Sequence, residues 1–219
     1  MDRDSVDRVI SIILRKYGRS FSHELSIPIE DNTAPALFQL LTAAVLVSRA
    51  RLDCGLRAAR LVFDEGWSSP ETLAQSTWEE RTAVLSQAGY THHDTVARVL
   101  GDAGDLLLDW YEGDVHQLRQ EARYDPIQER ILLKKITGVG DSAADFFFRE
   151  VQIIWDEIYP FADRLVSESA ALAGLPTDPA TLAFFTNREG FVRLAAGLVR
   201  MKAKDAFDDV RKEVVVSSS

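Results

Sequence analysis

Cysteine is almost absent from this chain: Cys54 is the only one in 219 residues. No internal disulfide can form, and an iron–sulfur cluster held by four thiolates is excluded. Cys54 is expected to be a small buried residue rather than a reactive thiol. Long apolar runs are missing as well, since none approaches the roughly 18 residues that cross a bilayer. The opening Met1-Asp2-Arg3-Asp4 is charged and has no signal-peptide character. A cytoplasmic protein without membrane contact is the expectation. Convincing strand alternation is also lacking. Only Val214-Val215-Val216, ahead of Ser217-Ser218-Ser219, looks strand-like, and a loose tail is expected there.

Positive charge is scarce. Lys and Arg number 25 against 34 Asp and Glu, a net charge of −9. Phosphate contacts usually rest on Lys and Arg, so this balance argues against tight nucleic-acid binding. The deficit is uneven: residues 1–125 carry 13 basic and 20 acidic side chains, residues 126–219 carry 12 and 14. Within 188–204, Arg188, Arg193, Arg200, Lys202 and Lys204 face only Glu189. That stretch reads equally well as a solvated helix face or a phosphate-facing strip. Any affinity for DNA should be modest and strongly salt-sensitive.

What is present is helical periodicity. Val6, Val9, Ile10, Ile13, Leu14 and Tyr17 recur at three- and four-residue steps, giving an amphipathic helix. Pro28 and Pro35 mark an extended connection. Phe38 to Val47 is apolar on nearly all faces and predicts a helix central to a core. Ser69-Pro70-Glu71, Asp125-Pro126 and Asp178-Pro179 read as caps followed by first-turn prolines, and Thr77-Trp78-Glu79-Glu80 as a capping box. The fold class is all-α. Phe146, Phe147, Phe148 and Trp155 could suggest a base-stacking platform, but consecutive positions on a helix favour core packing.

The most informative stretch is Ile136-Thr137-Gly138-Val139-Gly140-Asp141-Ser142-Ala143-Ala144-Asp145. Two glycines two apart allow a tight turn and close backbone approach to a ligand. A helix start behind them would aim unpaired N–H groups and a positive dipole end at the same spot, which suits a phosphate. Further on stands Tyr159-Pro160-Phe161-Ala162-Asp163-Arg164, with one acid at a helix start.

Hairpin, spacing and later Asp together resemble the helix-hairpin-helix DNA glycosylases, the endonuclease III superfamily. Phe38 through Arg51 is similar to the family's early helix and its DNA-facing turn. Gly89-Tyr90 with Thr91-His92-His93 resembles the loop of a second DNA-probing residue. The matches run in order over roughly residues 35 to 175. The resemblance implies a two-lobed all-α glycosylase fold: a six-helix bundle over 30–154 with the hairpin at about 128–148, and a second lobe from 1–29 plus 155–219. The interlobe cleft would hold Asp163 and the region of Ser142. Many relatives carry a C-terminal iron–sulfur cluster, which this chain cannot ligate. No metal or other cofactor is expected beyond a structural monovalent cation on the hairpin carbonyls, as in relatives. In place of the cluster, Phe184, Phe185, Phe191, Leu194 and Leu198 would hold the second lobe by packing. Double-stranded DNA is the implied partner of a monomer.

By the same resemblance, Asp163 matches the catalytic Asp that stabilises oxocarbenium character at C1′, although an Asp there could simply cap a helix. Ser142 stands where lyase members place a Schiff-base Lys, so that route is closed and a monofunctional glycosylase is favoured. Serine occurs there in the adenine-excising branch, where water is the nucleophile. Gly138, Val139 and Gly140 would contact phosphate, with Lys134 and Lys135 near it or facing solvent. Asp141 is expected to cap the following helix, at the cost of DNA affinity. Arg49 matches a gap-filling residue and Tyr90 its partner wedge. The bland alternatives are a surface ion pair of Arg49 and Arg51 with Asp53, and packing of Tyr90 against the bundle. His92 and His93 read as exposed loop residues. The leading function is base excision. A silent DNA-binding paralogue recognising distorted or abasic duplex, and a helical interaction module, remain as alternatives.

Overall fold

The computed structural model describes residues 3–216, and among them the regular elements are all helices. Its α-helices are α1 (Arg3–Tyr17), α2 (Phe21–Glu24), α3 (Ala34–Ser48), α4 (Leu52–Asp64), α5 (Pro70–Ala74), α6 (Trp78–Gln87), α7 (His93–Tyr111), α8 (Val115–Glu121), α9 (Pro126–Leu133), α10 (Asp141–Val151), α11 (Arg164–Leu172), α12 (Pro179–Ala183), α13 (Arg188–Lys204) and α14 (Phe207–Val216). Short 3-10 turns cover Ile29–Asp31 and Asp156–Ile158. No helix of the described residues is long and apolar enough to cross a membrane. The chain divides into two compact units, one spanning Leu25–Glu157, the other joining the segment up to Glu24 with the chain from Ile158.

In the Leu25–Glu157 unit, α3 is the core element. Thr33 caps it by accepting the Ala36 N–H, and Pro35 sits in its first turn. Pro35 therefore starts this helix instead of extending a connection, because the missing N–H costs nothing in a first turn. Leu37, Leu40 and Leu46 are fully buried, as are Ala43 and Ala44. With every side apolar, α3 can take α4 on one flank and α10 on another. Phe146, Phe147, Phe148 and Trp155 all face the core, the Phe147 and Trp155 rings edge-to-face at 5.6 Å. A platform for stacking bases is thereby ruled out at these positions. The other helix starts follow local chemistry. Ser69 and Thr77 form capping boxes with Thr72 and Glu80, and Asp125 accepts the Ile127 N–H.

In the other unit, α1 buries Val6, Val9, Ile10 and Ile13 against α13 and α14. Phe191, Leu194 and Leu198 of α13 are fully buried. Phe184, expected among them, is instead 72% exposed at the end of α12, with the Arg3 guanidinium 5.4 Å from its ring. Asp178 caps α12 by accepting the Thr181 N–H at 2.8 Å. Residues Val214 to Val216 belong to α14, not to a strand or loose tail. The helix is anchored earlier, by burial of Phe207 and Val210 and by ion pairs of Glu213 with Arg15 and Lys16. Ser217–Ser219 lie outside the described residues.

The basic run on α13 is neither a solvated face nor a phosphate strip as a whole. Arg193 Nε donates to the Gly18 carbonyl at 2.7 Å. Arg200 is buried over the Phe21 ring, donating to the Tyr17 and Arg19 carbonyls and to Glu24 at 2.5 Å. These two arginines fasten the α1–α2 linker. Lys202 and Lys204 alone remain exposed at the helix end.

Candidate nucleic-acid interface

The hairpin consists of α9, the turn from Lys134 to Gly140, and α10. Gly138 adopts φ +90°, a conformation that L side chains rarely hold. A Cβ there would meet Val99 Cγ1 at 2.4 Å and Val45 Cγ1 at 3.2 Å. Conformation and packing both demand glycine. Gly140 differs. Its backbone is extended (φ −97°, ψ −170°), and a Cβ would have nothing within 4 Å. Nothing within the protein demands glycine at this position, and the expected close approach of a ligand is the reason that remains for it. The space beside it is open. Val139 is buried, and its N–H donates to the Ile136 carbonyl at 3.0 Å. That N–H closes the turn instead of facing a ligand.

Three residues distant in sequence meet at the C-terminal end of α3. Arg49, exposed just past the helix, donates from Nη2 to the Gly138 carbonyl at 3.3 Å. A monovalent cation on that carbonyl would compete with this bond. Tyr90 does not stand out as a wedge. Only 5% of it is exposed, and its hydroxyl donates to the Leu46 carbonyl. Burial pushes its phenol well above the ordinary value, which keeps it neutral. Packing wins because the ring finishes the end of α3. Arg51 is exposed at the N-cap position of α4 without capping it. His92 is exposed ahead of α7, while His93 Nδ1 lies 3.1 Å from the Tyr90 carbonyl.

Beyond the turn, Gly140 occupies the N-cap position of α10 and no side chain caps the helix. Asp141 is therefore not the expected cap. It is the first helical residue, one position too late, and its Oδ1 is taken by Lys134 Nζ at 2.8 Å and Arg130 Nη2 at 3.2 Å. These bonds, from Lys134 and then Arg130, hold its carboxyl below the ordinary value. Ser142 is exposed on the same first turn, and Lys135 is exposed in the preceding loop.

Asp163 belongs to the other unit. It is the N-cap of α11, where Oδ1 accepts the Leu165 N–H at 2.7 Å and the Val166 N–H at 3.1 Å. The residue is 7% exposed. The cap and the carboxylate are thus one side chain, with its position fixed by two backbone donors.

A buried cluster that motif reading missed lies behind α9. Glu129 is fully buried on that helix. Glu157 lies beside it and receives a two-pronged bond from Arg119, at 2.5 Å and 2.8 Å. The same guanidinium lies 4.7 Å from the Trp155 ring and 4.9 Å from the Tyr124 ring. Burial, with the Glu157 carboxylate next to it, pushes the Glu129 carboxyl up to about 8. Glu157 would also be raised by burial, but the Arg119 fork holds it below the ordinary value. The register offered a signal: Glu129 stands three and four residues before the buried Leu132 and Leu133, on the inward side of α9.

No family model matches the chain, and no curated protein matches it. It is similar to a solved structure of a trapped endonuclease III–DNA covalent intermediate, an estranged-adenine complex. Identity is 19% and the TM-score 0.49, over 75% of this chain and 73% of that one.

Proposed function

We propose that this protein is a monofunctional DNA glycosylase that flips a damaged or mispaired base and hydrolyses its N-glycosidic bond. The observation that carries the reading is the hairpin itself. Gly138 is fixed at positive φ against Val45 and Val99, Arg49 bonds its carbonyl, and an uncapped α10 follows with an open Gly140. Unpaired first-turn N–H groups and the positive end of the helix dipole favour a phosphate there. Arg49, exposed beside the turn, is the proposed residue for the space left by a flipped base. Tyr90, being buried, is not included.

In this reading Asp163 supplies the carboxylate. As the C1′–N bond breaks, its electron pair leaves with the base and positive character develops on the sugar, which a nearby carboxylate stabilises. Water attacks C1′ and gives up a proton, for which Asp163 is the acceptor. Ser142 offers no amine for a Schiff base, and Lys134 is engaged by Asp141. Hydrolysis leaves an abasic site, and the strand stays intact until alkali is added.

One observation favours the second reading, a DNA-binding protein without excision. Asp163 already serves as a helix cap, a duty sufficient to explain an aspartate at that position. A panel of lesion-bearing duplexes, assayed with and without alkali, separates the two. Strand cleavage only after alkali is expected. Binding without cleavage on any lesion would support the silent form, and failure to bind even abasic duplex at low salt would leave a protein-interaction module.

A further inference from the structure

Two of the cations beside the hairpin are already paired with carboxylates. Lys134 is the C-cap residue of α9, and Arg130 lies one turn earlier in the helix. Lys134 bonds Asp141 at 2.8 Å, while Arg130 divides itself between Asp141 at 3.2 Å and Asp145 at 2.7 Å. Two positive side chains thus face two negative ones, so Lys134 and Arg130 add no surplus charge to that of Lys135 and Arg49 at a turn proposed to receive phosphate. Asp141 is 67% exposed at the side chain, so no packing compels its position. As the first residue of an uncapped helix, it places a carboxylate near where an incoming phosphate would need to be.

We infer that Asp141 is an internal competitor of the DNA phosphate, holding Lys134 and part of Arg130 as a tethered counter-ion that bound DNA must displace. The inference rests on the DNA reading above and adds a control on its strength. A free cation gains affinity for DNA by releasing condensed counter-ions from the phosphates, which makes binding steeply salt-dependent. When the cation is first paired with a tethered carboxylate, displacing that carboxylate exposes a charge that recruits a cation from solution. Much of the release is cancelled. The parent protein therefore binds more weakly, and with a shallower salt dependence, than it would with Lys134 free. Arg130 stays partly held by Asp145 in any case, so Asp141 governs chiefly Lys134.

The test is fluorescence anisotropy with the full chain and a duplex containing a stable abasic-site analogue, from 50 to 300 mM salt. Asp141→Asn, Lys134→Gln and their combination are compared with the parent, and circular dichroism checks that all are folded. One freed cation steepens the slope of log affinity against log salt by about 0.9, equivalent to roughly five- to tenfold tighter binding near 0.1 M salt. Asp141→Asn should show both changes, and Lys134→Gln should abolish them. Unchanged or weaker binding by Asp141→Asn, with parent binding intact, would overturn this inference and leave the DNA reading standing. A gain that persists in the double variant would equally remove Lys134 as the competed group. No binding by the parent or any variant at the lowest salt would end the DNA reading and this inference with it.

Discussion

Helices α10 and α11 each begin at an aspartate, and the two side chains do different work. Asp163 stands at the N-cap of α11, nearly buried, with two backbone N–H groups on one oxygen. Asp141 stands one position later relative to α10, largely exposed, with its carboxylate on Lys134 and Arg130. A shift of one residue decides this. At the N-cap the extended backbone points a carboxylate back at the first turn, whereas one step on the side chain leaves the helix sideways toward whatever lies there. The start of α10 is thus left without a side-chain cap, at the turn proposed to receive phosphate. At α11 the same chemistry is spent on holding a carboxylate still. Neighbours, and not residue type, separate the roles.

The strongest way to break the α10 side is Gly138→Ala. A methyl group 2.4 Å from Val99 Cγ1, on a backbone at φ +90°, should destabilise the protein by about 2–4 kcal/mol in denaturant titration. Gly140→Ala is its control. It should fold like the parent and lose only affinity for abasic duplex. Equal stability of both alanine variants would show that the two glycines are equivalent after all.

The support beneath α9 should respond to pH. Glu129 titrates near 8 in the folded protein and near 4.5 when unfolded, so its neutral form belongs to the folded state. The stability it contributes is present below about 4.5 and is lost as pH rises toward about 8. Glu129→Gln keeps the neutral shape, so its melting point should gain on the parent steadily across that window. Each kcal/mol corresponds to about 2–4 °C for a chain of this size. Parallel curves for the two proteins would place the titration elsewhere.

On the α11 side, Asp163→Ala removes the cap and should cost about 1 kcal/mol of stability, while Asp163→Asn retains an accepting oxygen and should cost little. The smallest effect is expected at Asp141. Its side chain is exposed and caps nothing, so Asp141→Asn should melt with the parent while binding DNA differently. A large drop in melting temperature would mean that its ion pairs hold the hairpin together.

Much of this was legible in the sequence where the chemistry is local. Ser69, Thr77, Asp125 and Asp178 announce helix starts because each bonds a donor two or three residues away. Gly138 announced the turn through its backbone, which holds φ +90°. Contacts closed by the tertiary fold were not legible. Tyr90 reaches a carbonyl 44 residues away, and Arg49 one 89 residues away, so neither burial nor partner follows from nearby residues. The valines before Ser217 suggested a strand because β-branched residues favour extended chains, yet burial of Phe207 and Val210 carries them into a helix. Arg193 and Arg200 looked like surface charge, and only the position of the α1–α2 linker turns them inward.

The proposal that the Asp163 carboxylate breaks the glycosidic bond is tested most directly by single-turnover excision with Asp163→Asn. Duplex affinity and borohydride trapping are measured on the same samples. Excision should slow by roughly two or more orders of magnitude, while binding and melting temperature stay near those of the parent. Neither protein should leave a trapped adduct, since Ser142 carries no amine. Excision at the parent's rate by Asp163→Asn would contradict the account, and efficient trapping by the parent would show that an amine such as that of Lys135 reaches C1′.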